Sequence, residues 1–202
     1  MKLYSALYQE HDPFGIFSSV KLVGPDDKLK PDGMLILWGG EDISPSLYNQ
    51  DVVHAHASKQ PSKRDLNEIS LFKQAVALGM PIIGVCRGAQ LACALSGGTL
   101  FQHISGGHHG NHLVKTFDGK ALETSSCHHQ ALNLEKVGHD LMAWDYDRIT
   151  SAFTDKEIKE VVIPEVALLH KTKTLAIQGH PEWMKPTDPF VKWLSNLLQT
   201  RF

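Results

Sequence analysis

Two short apolar runs, each closed by glycine, restrict this chain more than any other feature. Residues 34–38, MLILW, stop at Gly39-Gly40, and residues 82–85, IIGV, run straight into Cys86, Arg87 and Gly88. An uninterrupted apolar run of this length reads as a strand covered on both faces, as in a parallel sheet. Between the runs, Ser62 precedes Asp65 by three residues, a capping-box start for a helix. Leu66, Ile69, Phe72 and Val76 then recur at helical spacing, and Gly79 and Pro81 end the helix. After Cys86, RGAQLACALSGG predicts a second helix, rich in small residues and closed by Gly97-Gly98. Strand, helix, strand, helix is the signature of an α/β unit with right-handed crossovers.

The C-terminal half has another texture. EVALLH (165–170) and TLAIQ (174–178) flank Lys171-Thr172-Lys173, which predicts an antiparallel hairpin. A proline-rich loop, GHPEWMKPTDP, follows, and then a helix over about 189–199 with Phe190, Trp193, Leu194 and Leu197 on one face. No internal repeat, low-complexity stretch or linker divides the chain, so a single domain over 1–202 is expected. A chain of 202 residues is long enough for one substantial core and short for two.

Composition narrows the function. With 42% apolar and 21% charged residues and a formal charge of -2, the chain offers no electrostatic case for binding nucleic acid or an anionic membrane. No apolar stretch approaches the ~20 residues that span a bilayer. The N-terminal MKLYSALYQEHDPFG meets acidic and turn residues too early for a secretory signal. Cys86, Cys93 and Cys127 are an odd set without zinc-type spacing, so a reducing, cytoplasmic setting is expected.

GVCRG carries the chemistry. In a G-x-[Ser/Cys]-x-G turn the chain leaves a strand and enters a helix so abruptly that the central residue is strained and presented. The helix N-terminus favours thiolate over thiol, which predicts ionisation of Cys86 below the ~8.5 of a free thiol. Its N–H groups can also receive the oxyanion of a tetrahedral intermediate. On the pentapeptide alone, Cys86 as a buried small hydrophobe stands equally open. Cys93, on the following helix, reads as core, and Cys127 has no more than its neighbours His128 and His129. A thiolate needs a base and the base an orienting group, and AIQGHPEW supplies His180 and Glu182 two residues apart.

With these motifs in hand, the chain resembles the class I glutamine amidotransferase superfamily, and within it the γ-glutamyl hydrolase branch (peptidase family C26), which includes γ-glutamyl-γ-aminobutyrate hydrolases. WGGEDISPSLY, the long stretch from Arg64 to Ile104 around GVCRGAQ, HHQAL and AIQGHPEW carry the match, in family order over about residues 34–184. The resemblance implies a flavodoxin-like α/β fold, a three-layer sandwich with a mostly parallel central sheet and an antiparallel C-terminal edge. It also implies hydrolysis of a γ-glutamyl amide through a thioester on Cys86, with His180 as base and Glu182 orienting it. The backbone N–H groups of Gly40 and Arg87 would form the oxyanion hole, and Gln90, His128, His129 and Gln130 would contact the glutamyl group. No cofactor and no metal are expected.

The expected ligand is a small γ-glutamyl substrate such as glutamine. A separate synthase subunit receiving ammonia is the alternative arrangement, and a catalytically silent binding module is a third. The branch carries more chain before its glycine-ended strand than the thirty or so residues present here, enough for one strand and a short helix or second strand. HISGGHHGNH gathers His103, His108, His109 and His112, but no cysteine or carboxylate sits at a ligand spacing. It reads as a mobile loop bordering the site, with a strand, HLVKTF, starting at His112.

Overall fold

The computed structural model describes residues 1–6 and 11–202, and the backbone alone at 147–148. Two strands, β1 (Lys2–Ala6) and β2 (Ser19–Val23), precede β3 (Gly33–Leu37). Next come helix α1 (Lys63–Ala77), β4 (Ile82–Val85) and α2 (Arg87–Leu95). The middle of the chain holds β5 (Thr99–Phe101), β6 (His103–Ile104), β7 (His108–Thr116), β8 (Ala121–His128) and β9 (Ala131–Asn133). Strands β10 (His139–Phe153), β11 (Ile158–Leu169) and β12 (Thr174–Ile177) and helix α3 (Pro189–Arg201) complete it. Among the described residues, no helix is long and apolar enough to cross a membrane.

The main sheet runs β2-β1-β3-β4-β12-β11-β10-β7-β8, with β6 joined to β10. Pairings from β2 through to β12 are parallel; those from β12 onward are antiparallel. This is the expected α/β, flavodoxin-like sheet with a parallel core and an antiparallel edge, and that edge is broad. Every residue of β3, β4 and β12 is buried, as unbroken apolar runs require. The two strands before β3 fulfil the strand-plus-strand option for the N-terminal region; residues 7–10 of their connection lie outside the described residues.

Helices cover the parallel part on both faces. Leu35, Leu37 and Ile82 point to the side of α1 and α2, where they pack with Leu71, Phe72 and Leu91. Met34, Ile36, Ile83 and Val85 point to the other side, against Phe190, Trp193, Leu194 and Leu197 of α3. Burying a side chain of this size is worth about 1.5–3 kcal/mol, so the stripe on α3 accounts for its docking. The predicted face of α3 is the observed one.

Two sequence expectations need correction. In α1 the capping box at Ser62 and Asp65 is formed, but Leu66 is 58% exposed and Val76 38%. The inward face carries Asp65, Glu68, Leu71, Phe72 and Ala75 instead. An apolar-periodicity argument misses this face because its first turn is ionic, neutralised from outside the helix by Arg87. Likewise, the histidine-rich segment read as a loop is strand: β6 and then β7, which starts at His108 and pairs along β8. His108 turns inward because carboxylates from β10 and β11 face its ring, so a polar residue occupies a buried strand position.

Candidate active site

Between the last residue of β4 and the first of α2 there is room for one residue, Cys86. Its backbone takes φ 48° and ψ -106°, a conformation costing a non-glycine residue on the order of 1–3 kcal/mol. Surrounding structure enforces it. A Cβ on Gly88 would stand 2.2 Å from the Leu37 carbonyl oxygen, and one on Gly84 would stand 2.7 Å from the Ala89 nitrogen. Glycine at both positions lets α2 start against β3 and β4. Cys86 N–H donates to the Ile177 carbonyl at 2.6 Å, which fixes the turn to β12.

The chain leaving β12 delivers His180. Its N–H donates to the Ser125 carbonyl at 2.8 Å, and its Nδ1 lies 2.8 Å from Oε1 of Glu182. Pro181–Trp183 form one 3-10 turn, which brings Glu182 back toward the ring. Trp183 stacks on the imidazole at 3.7 Å between centroids with the planes 3° apart. Sequence reasoning gave Trp183 no role, and its position directly after the glutamate is the signal it had. His180 and Cys86 converge on Gly39: a Cβ there would lie 2.7 Å from His180 Cε1 and 3.5 Å from Cys86 Cβ. With Nδ1 turned to Glu182, Nε2 is the ring nitrogen that Glu182 leaves unengaged.

Gly40 follows with φ +139°, and the guanidinium of Arg64 holds this strand exit through the carbonyls of Trp38 (3.2 Å) and Gly39 (2.8 Å). Backbone N–H of Arg87 hydrogen-bonds the Cys86 thiol. The Arg87 side chain does something else. It is buried in ion pairs with Glu68 and Asp65, so it ties α2 to α1 beneath the nucleophile. The sequence signal for this anchor was the Asp65/Glu68 spacing of three on a helix that also carries the core.

Burial sets the electrostatics of Cys86. Removal from water pushes the Cys86 thiol up to about 12, against the smaller lowering effect of the Arg87 N–H. Burial thus works against the thiolate that the helix N-terminus favours.

The other candidates separate. Gln90 is buried in the first turn of α2, with its N–H donating to the Cys86 carbonyl at 3.0 Å. The Cys127 carbonyl stands 4.0 Å from Cys86 Sγ, which brings the 128–130 segment beside the nucleophile. His129 reaches Asp42 Oδ2 at 3.0 Å and stacks on His56 at 4.2 Å, across a cleft bounded by Asp42, His56 and Asp65. His128 and Gln130 are turned into the interior. The His128 Nδ1 lies 2.8 Å from the Gln130 carbonyl, and the Gln130 amide donates to the Gln102 carbonyl at 3.5 Å. Cys93 is fully buried, with its thiol 3.5 Å from the Thr99 carbonyl, as its core reading required. Cys127 is exposed, 3.8 Å from His109 Nδ1.

The model of the family described as Peptidase C26 matches residues 30–182. A Mycobacterium tuberculosis protein provisionally named a glutamine amidotransferase is 32% identical over 167 residues, 73% of this chain and 50% of its own length. The carbamoyl phosphate synthase small chain of Rubrivivax gelatinosus is 30% identical over 115 residues, 56% of this chain and 25% of its own. The chain thus spans half or less of these relatives' lengths. Among solved structures, PurLQS from Thermotoga maritima superposes with a TM-score of 0.61 at 14% identity, over 98% of this chain and 95% of that one.

Proposed function

The chain belongs to the peptidase C26 family, and from that premise we propose that it is a cytoplasmic, one-domain cysteine hydrolase that cleaves the γ-glutamyl amide bond of glutamine or a small γ-glutamyl amine. The observation that carries this reading is the alignment of a strained cysteine, a histidine and a buried carboxylate, with His180 Nδ1 at 2.8 Å from Glu182 and its ring against Gly39 beside Cys86. Three free cysteines support the reducing compartment.

The chemistry follows from the atoms present. Cys86 Sγ attacks the γ-carbonyl carbon while its proton passes to His180 Nε2. The imidazolium so formed is stabilised by Glu182. The carbonyl oxygen becomes an oxyanion held by the N–H groups of Gly40 and Arg87. Collapse breaks the C–N bond as His180 returns the proton to the departing ammonia or amine, leaving a thioester. Water, deprotonated by His180, then releases glutamate and restores the thiol. Gln90 and His129 stand nearest to contact the glutamyl end, His129 through the polar cleft it shares with Asp42.

The test is intact mass after incubation with 6-diazo-5-oxo-L-norleucine, a glutamine-shaped alkylator, beside Cys86→Ala. One adduct that disappears in the variant supports a live nucleophile in a glutamine pocket. Labelling that survives Cys86→Ala, or a protein neither labelled nor able to cleave any γ-glutamyl amide, leaves the silent binding module as the better reading. The similarity to a synthase small chain supports a second arrangement, in which this chain passes ammonia to a separate synthase. Glutamine turnover that is weak alone and rises with a partner distinguishes it.

A further inference from the structure

Next to Cys127, one carboxylate oxygen collects three imidazoles. Glu165 Oε1, on β11, stands 2.8 Å from His108 Nδ1, 3.4 Å from His112 Nε2 and 3.6 Å from His128 Nε2. Strands β7 and β8 set His108 directly opposite His128. His108, His128 and Glu165 are all nearly inaccessible to solvent.

Hydrogen bonds within the group leave several of its atoms without a partner. The Gln130 carbonyl only accepts, so the His128 Nδ1 at 2.8 Å from it must carry the hydrogen. With that hydrogen on Nδ1, Nε2 is the ring atom that faces the Glu165 carboxylate at 3.6 Å. His108 Nε2, His128 Nε2, Glu165 Oε2 and both ring nitrogens of His112 are buried without a hydrogen-bond partner. Unpaired buried polar atoms are costly, and their gathering in one place calls for an explanation.

We propose that His108 Nδ1, His128 Nε2 and Glu165 bind a divalent first-row cation of the zinc type, with His112 at the fourth position. The ligand atoms of His108, His128 and Glu165 already lie within 4.8 Å of one another. Zinc–nitrogen and zinc–oxygen bonds of about 2.0–2.2 Å need only side-chain closure from there. The outer contacts fit too. Histidines bound to metal donate their other N–H to a carboxylate or carbonyl, which fixes the tautomer. Here the His128 Nδ1 has the Gln130 carbonyl, and the His108 Nε2, though without a formed hydrogen bond, lies 3.1 Å from Asp145 Oδ2. One divalent cation also balances the charges of Glu165 and Asp145 with all three imidazoles neutral. His112, with 21% of its side chain exposed, marks the way in. No metal is suggested by the sequence because the carboxylates come from β10 and β11, far from the histidine-rich segment.

The site would brace the base from behind. Glu165 carbonyl accepts from Gln178 N–H at 2.8 Å, two residues before His180, and β8 holds His180 itself through Ser125. The proposal does not depend on the chemistry assigned to Cys86. Its test is titration of the chelator-stripped chain with zinc against a chromophoric competitor, with metal content measured by mass spectrometry. One zinc per chain is expected, with a thermal midpoint that rises on loading. Affinity should fall at least ~100-fold in Glu165→Gln and about 10–100-fold in Asp145→Asn. It should be unchanged in His56→Ala, which disables the more exposed Asp42–His56–His129 cluster. Absence of stoichiometric zinc, binding that persists in Glu165→Gln, or loss in His56→Ala overturns the proposal. Should Glu165→Gln fail to fold, zinc-edge absorption of the unaltered chain decides: only nitrogen and oxygen neighbours are expected, and a sulfur neighbour refutes it.

Discussion

Arg87 and Glu68 form an ion pair with both side chains at 2% exposure or less, joining the helix that follows Cys86 to the helix before it. Asp65 completes the pairing on the second guanidinium nitrogen, and Arg64 shares Glu68 while holding the carbonyls of the Trp38-Gly39 exit. The same charges therefore link the elbow carrying Cys86 to the turn carrying Gly40.

Removing one member strands the others. Glu68→Ala leaves the Arg87 guanidinium buried with half its compensation, a defect of about 3–5 kcal/mol. Urea unfolding should reveal a loss of this size. A loss under about 1 kcal/mol would mean that the pair contributes as an exposed one does.

The elbow tolerates no side chain at its second glycine. In Gly88→Ala the new methyl would meet the Leu37 carbonyl at 2.2 Å, against backbone that cannot swing away. Amidase activity should fall at least ~100-fold, since a displacement of about 1 Å at the reacting atoms costs that much. Thermal melting should drop as well. An active, fully stable variant would show that α2 can move without consequence.

Glu182→Gln tests the orienting role. The amide keeps the size of the side chain but removes the charge that stabilises an imidazolium 2.8 Å away. Turnover of glutamine should fall by a factor of about 10²–10⁴, with the melting temperature nearly unchanged. Equal turnover in the two proteins would assign the catalytic proton to another group.

Alkaline pH should expose the buried thiols. Cys86 and Cys93 are both pushed up to about 12, chiefly by burial, so the folded chain keeps two protons that the unfolded chain releases from ~8.5 upward. Stability from this source is complete below that pH and declines as pH rises toward the folded value. Between pH 8 and 10 each thiol should withdraw about 2 kcal/mol, and Cys93→Ala should flatten its share of the decline. Iodoacetamide modification of Cys86 should climb through pH 9 without a plateau; a plateau below the free-thiol value would restore a resting thiolate.

Much of this could be read from the chain. The apolar runs that became β3 and β4, the glycines around Cys86 and the His-Pro-Glu turn each act over a few residues, where steric rules and local spacing decide. The shifted face of α1 could not be read in that way. Leu66 and Val76 satisfy the period and yet face solvent, because Asp65 and Glu68 hold the inner positions only while Arg87 stands opposite.

Sequence by itself determined the strand–elbow–helix unit and the later hairpin, and it singled out Cys86, His180 and Glu182 as candidates, since each was read from spacing over a few residues. Tertiary structure alone decided that burial raises the Cys86 thiol, that Arg87 serves as an anchor, and that His108, His112 and His128 meet Glu165. Those outcomes depend on burial and on charges arriving from distant strands, and desolvation is a property of the packed molecule that no local spacing encodes.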